Sequence, residues 1–283
     1  MDNIKFPSTD KYPLAASLFR AETQKGTLVI HSATAVPRQF YARFAENAAS
    51  RGWTTLTFDY RGIGDSRPRN LRGFRASMTD WARLDTEAAH RWILKNSPGG
   101  KHAVVAHSFG GQAMALMSDN AKLDRVVMLG AQSGYWKNFP KRKWLPFIFL
   151  WYVGMPLLTR LLGYFPAKFL RLGEDLPREA ALEWSHWNRS PKYIMTDFKS
   201  DADNRFLDFK CPVMIYEISD DSYAPSKAVR ELAKSVPSVL LKMRPIQPSD
   251  IGVKQIGHFG PFRPSFQNTI WKEIVDFLDQ TTH

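Results

Sequence analysis

Short apolar runs alternate with stretches of helical period along most of the chain. TLVIHS (27–32), HAVVAH (102–107), RVVMLGA (125–131) and PVMIYEI (212–218) are apolar at nearly every position, as strands buried on both faces are. WTTLTFDY (53–60) and VLLKMR (239–244) also read as strands. Helices are predicted over 37–50, with a proline near the start and Gly52 just past the end, and over 79–95, with Thr79 or Asp80 as its cap. Further helices are predicted over 109–118, 225–235 and 268–278. Strands alternating with helices in this way predict a mostly parallel sheet covered on both faces.

The alternation stops between 133 and 206, where the chain is aromatic, basic and broken by proline. The predicted organisation is therefore a core of residues 1–132 and 207–283 with a helical insertion of 133–206. The most apolar piece, 144–165, has nearly the length of a membrane span. Pro146, Gly154, Pro156, Gly163 and Arg160 interrupt it, so two short helices forming a greasy cover are expected, and an interfacial contact with lipid stays open.

Composition adds little to the fold but narrows the class. With 44% hydrophobic and 23% charged residues, a disordered, collagen-like or coiled-coil chain is excluded. A single cysteine, Cys211, excludes a disulfide framework and a cysteine-ligated zinc site. The N-terminus shows no apolar core of signal-peptide length, and the expected location is cytoplasmic. Lys and Arg exceed Asp and Glu by 39 to 27, a net charge of +12. No zinc-finger spacing or RNA-recognition signature accompanies the basic groups, so no nucleic-acid partner is expected and most of the excess reads as solvated surface.

The chemistry concentrates in AHSFGG (106–111), which follows a buried strand and precedes a helical run. A serine exposed at such a tight turn needs small residues two positions before and after it; Gly110 and Ala106 fill these places, alanine standing where glycine is usual. A nucleophilic serine needs a base and an acid, downstream in the order Ser, acid, His. His258 lies in the glycine-flanked loop QIGHFGPF after the last strand. ISDDSYAP supplies Asp221, with Asp220 in reserve, although both carboxylates can also simply cap the helix that follows. The oxyanion donors expected are the main-chain N–H groups of Phe109 and of Ala33 or Thr34, with Ala33 preferred. His31 and His107, at strand ends, read as structural hydrogen-bonding or pocket-lining residues.

Together, the strand ending in His31, DYRGIGDS (59–66), AHSFGG, DDSYAP and GHF resemble the α/β-hydrolase superfamily over essentially the whole chain. HSATAVPRQFY, FDYRGIGDSRP and GEDLPREAALEW look like a bacterial group of predicted hydrolases near the serine aminopeptidase and monoacylglycerol lipase-like branch. The usual His-Gly of the oxyanion loop reads His31-Ser32. The resemblance implies an α/β-hydrolase fold with the insertion as a lid. Aromatic residues of that lid, Trp136, Trp144 and Trp151 among them, would line a pocket with Phe147, Phe149, Tyr152, Trp184 and Trp187, or form the lid's own core. It implies a serine hydrolase cleaving a carboxylic ester through Ser108, His258 and Asp221, with a small-molecule ester as partner and no metal or organic cofactor. Alternatives are an aminopeptidase using lid carboxylates Glu174, Asp175, Glu179 and Glu183, an amidase or thioesterase, and a non-catalytic binding module on the same fold. Peripheral lipid contact through the basic aromatic lid stays open.

Overall fold

The computed structural model describes residues 1–280. An eight-stranded sheet runs in the order β1 (Asp2–Pro7), β2 (Pro13–Phe19), β4 (Trp53–Phe58), β3 (Gly26–His31), β5 (Lys101–His107), β6 (Arg125–Leu129), β9 (Val213–Ile218), β10 (Leu241–Ile246). Only β2 runs against its neighbours. The antiparallel β1–β2 pair is not predicted by the apolar pattern, and β10 begins two residues later than expected.

β3, β4, β6 and β9 are buried along their whole lengths, and their alternate residues feed two separate cores. Val29, Val104, Val126 and Ile215 face one core, with helix 78–96, the segment after Ser108 and the insertion. Ile30, Val105, Val127 and Tyr216 face the other, closed by helix Ala42–Ser50 and the C-terminal helical run 267–279. Because these strands run parallel, the loops that follow their carboxyl ends lie along one edge of the sheet.

Helix 78–96 is capped by Ser77 rather than Thr79 or Asp80. The Asp80 N–H donates to Ser77 Oγ at 3.0 Å, and the Asp80 carboxylate accepts from the Ser77 N–H at 2.8 Å. Thr79 instead donates to Glu183 of the insertion through its N–H (2.9 Å) and hydroxyl (2.6 Å), pinning the two together.

The expected pair of short helices in the insertion is one helical run, Lys141–Leu162. Pro146 falls in an early turn, where its missing N–H costs little. Pro156 lacks the N–H that an α-helix requires, and the preceding residues, Phe149–Gly154, widen into a π-helix that absorbs the defect. By length and composition the run could cross a membrane, yet Trp151, Met155 and Thr159 are buried against the protein. The insertion also contains β7 (Tyr164–Phe165), β8 (Leu176–Pro177) and helix Arg178–Asn188.

Candidate active site

Ser108 follows β5 directly, with φ 51° and ψ −117°, a conformation that a residue bearing a Cβ adopts only under constraint. Its N–H donates to Leu129 O at 2.8 Å, and its carbonyl accepts from the Gly111 and Gln112 N–H groups. A Cβ at Gly110 would lie 2.4 Å from the His31 carbonyl oxygen, so only glycine lets the chain turn this close to β3. Ala106 is fully buried in the core.

Two loops bring carboxylates and an imidazole to the same edge. His258 Nδ1 lies 2.7 Å from Asp221 Oδ2. Asp221 Oδ1 accepts from the Tyr223 and Ala224 N–H groups at 2.8 and 2.9 Å, so the turn holds this carboxylate in place. Asp220 points elsewhere and accepts from the Ile256 and Gly257 N–H groups at 2.9 and 3.0 Å, clipping the His258 loop to the acid turn. Carboxylate acceptance at Nδ1 fixes the proton there and leaves Nε2 as the free acceptor. Gly130 sits behind this pair at φ 63°, and a Cβ there would be 2.8 Å from His258 Cε1.

Buried histidines frame the site, and carbonyl partners fix their tautomers. The His258 carbonyl only accepts, so His107 Nε2–H donates to it (3.0 Å), and His107 Nδ1 accepts from the Tyr41 hydroxyl (2.9 Å). The Tyr41 oxygen accepts the Ala33 N–H at 2.8 Å. On the other side, Gly110 O accepts from His31 Nδ1–H at 3.3 Å. His31 Nε2 then accepts from His90 (2.8 Å), His90 Nδ1 accepts from His102 (2.6 Å), and His102 Nδ1 accepts from the Thr27 hydroxyl (2.8 Å). An extra proton on His31 Nε2 or His90 Nδ1 would set two N–H groups face to face. Burial pushes His31 down to about 3 and His102 to about 4, and lowers His90 and His107 well below the ordinary imidazole value.

These contacts correct several expectations. The Ala33 N–H already serves Tyr41, which leaves Thr34, the other expected donor, whose N–H has no partner among the described residues. His31 and His107 are fully buried, and neither lines the cavity between the insertion and the strand edge. A cavity of about 360 Å³ lies between the insertion and the strand edge, lined by Thr34, Phe147, Trp151, Trp184, Tyr193 and Tyr223 among others. Trp136 and Trp144 are not in its wall; they pack edge to face at 5.3 Å inside the insertion. Phe149 and Tyr152 face outwards, and Trp187 is buried elsewhere. Ser108 and His258 are 9% and 7% exposed, and Tyr223, which lines the cavity, lies with its ring 5.2 Å from that of His258. Tyr223 stands two residues after Asp221, within the DDSYAP motif that points to the acid. Gln132 and Tyr193 carry no comparable sequence signal; Tyr193 OH donates to Gln112, whose amide donates to Gln132.

A model of the alpha/beta hydrolase family matches residues 28–266, most of the chain. The chain belongs to the alpha/beta hydrolase family. The quorum-quenching protein AidA of Acinetobacter baumannii is a relative, 24% identical over 301 residues that cover 98% of this chain and 93% of AidA. Among solved structures, a putative hydrolase from Agrobacterium vitis S4 superposes with TM-score 0.64 at 16% identity, covering 98% of this chain and 99% of its own. An esterase from Exiguobacterium antarcticum superposes with TM-score 0.63 at 11% identity, covering 99% and 100%. At these identities the two structures share the hydrolase fold with this chain.

Proposed function

We propose that the protein is a serine hydrolase that cleaves carboxylic esters carrying an apolar acyl or aryl group. The observation that carries this reading is the 2.7 Å Asp221–His258 contact on the strand edge where Ser108 occupies its strained turn. Ser108 Oγ attacks the ester carbonyl carbon while His258 Nε2 takes the hydroxyl proton. The oxyanion is held by the N–H of Phe109, which opens a helix and so has no intrahelical acceptor, and by the N–H of Thr34. Collapse of the adduct expels the alcohol, which takes the proton from His258 and leaves the acyl group on Ser108. Water, deprotonated by His258, then releases the acid and regenerates the serine.

The largely apolar cavity wall suits an acyl or aryl group. None of the four carboxylates that an aminopeptidase would use lines it. Glu174 and Asp175 pair with Arg67, Glu183 accepts from Thr79, and Glu179 lies 3.9 Å from Arg178. The insertion is the lid in this reading. Hydrolysis of a panel of soluble p-nitrophenyl esters graded by acyl length tests it, with acylated quorum signals beside them because of the quorum-quenching relative. Ser108→Ala is expected to lower kcat at least ~10³-fold while keeping the native melting temperature. Substantial turnover by a well-folded Ser108→Ala protein would overturn the reading.

A further inference from the structure

The run Lys141–Leu162 has two apolar faces. Phe147, Leu150, Trp151 and Met155 wall the cavity. Leu145, Phe149, Tyr152, Val153, Leu157 and Leu161 face solvent, Leu145 at 80% exposure. Nine of the fourteen exposed large apolar side chains among the described residues fall within 145–172, so the exposure is concentrated rather than scattered. Charge marks the same segment. No acidic residue occurs between Asp124 and Glu174, and Lys141, Arg142, Arg160 and Arg171 have no ion-pair partner among the described residues.

We propose that this outer face docks on an anionic phospholipid bilayer, the helix lying in the plane of the interface, and that the ester substrates are membrane-borne amphiphiles. An apolar helical face flanked by unpaired Lys and Arg is the pattern of an interfacial helix, and anionic headgroups supply the countercharge that the chain withholds. A second copy of this chain would bring the same unpaired positive charge to the face, on a molecule of net charge +12. A spanning orientation would have to tear Trp151, Met155 and Thr159 from the protein body. The in-plane orientation keeps those contacts and leaves the acyl cavity one helix away from the lipid. The substrate half of the proposal rests on the ester-hydrolase reading; the docking half does not.

Cosedimentation with phosphatidylglycerol-containing vesicles and with pure phosphatidylcholine vesicles tests it, using the full chain and its Ser108→Ala form. Both proteins are expected to bind the anionic vesicles, with binding roughly tenfold weaker to phosphatidylcholine and falling as salt rises from about 0.1 to about 0.5 M. Leu145→Ser/Phe149→Ser/Leu161→Ser should lose about tenfold or more in vesicle binding while keeping the melting temperature and the turnover of a soluble short ester. Absence of binding to anionic vesicles, or binding unchanged in the triple variant, would overturn the docking. Dimerisation that the triple variant abolishes, without vesicle binding, would reassign the face to self-association. Vesicle binding together with failure to turn over vesicle-borne acyl esters would sustain the docking and reject the substrate class.

Discussion

Asp221 uses one carboxylate oxygen for His258 and the other for two turn amides, whereas Asp220 holds only backbone amides of the histidine loop. Their substitutions should therefore separate. Asp221→Asn removes the acceptor that fixes the His258 tautomer, and kcat is expected to fall ~10³–10⁴-fold with KM little changed. Asp220→Asn should cost far less; if its kcat falls further than that of Asp221→Asn, the acid is misassigned. Gly130 gives an independent probe, because a methyl group there meets both a positive φ and the His258 ring. Gly130→Ala is expected to lower kcat at least ~10²-fold by displacing the imidazole, at a stability cost of about 1–2 kcal/mol read from urea unfolding. Full activity in Gly130→Ala would mean that the imidazole works from another position. Ser108, His258 and the acid turn are legible in the sequence because a nucleophile turn, a glycine-flanked histidine and paired acids are local patterns. The Ala33–Tyr41–His107 chain is not, since its members meet only through tertiary packing.

At the scale of elements, buried ion pairs hold the turn after β4. The Arg61 guanidinium donates to both oxygens of Asp10 at 2.7 Å and to Asp85 at 2.8 Å, and its N–H donates to Asp85 at 2.9 Å. Asp85 is wholly buried, so Arg61→Met strands a carboxylate inside the protein. A loss of about 3–5 kcal/mol is expected in chemical denaturation, and a loss below ~1 kcal/mol would show that the pair is not structural. Arg38 bridges Asp59 and Asp65 in the same loop system. The central parallel strands are legible because burial on both faces leaves uninterrupted apolar runs. β1 and β2 are not, since β1 (DNIKFP) buries little beyond Phe6 and prolines bound the connection between the two strands. The run Lys141–Leu162 reads as two helices in sequence because proline counts there as a breaker, whereas a π-turn can absorb it in three dimensions.

Across the whole molecule, His31, His90, His102 and His107 are buried and neutral, each with both ring nitrogens bonded. Their folded values lie below the ordinary 6.5, so acidification protonates the unfolded chain first. Each therefore removes stability as pH falls from about 6.5 towards its folded value, at up to ~1.4 kcal/mol per pH unit. His90→Gln keeps an acceptor for His102 and a donor for His31 but does not titrate. Its unfolding free energy should decline less steeply than that of the wild type between pH 7 and 5, by up to that amount per unit; parallel curves would mean that His90 titrates in the folded protein as it does in the unfolded chain.

The central claim, that Ser108 is a nucleophile activated by His258, is tested most directly by reacting the purified protein with a fluorophosphonate probe and mapping the adduct by mass spectrometry. The account predicts one adduct, on Ser108, absent in Ser108→Ala and strongly suppressed in His258→Ala. A folded wild-type protein that takes up no probe, or labelling indifferent to His258, would contradict it.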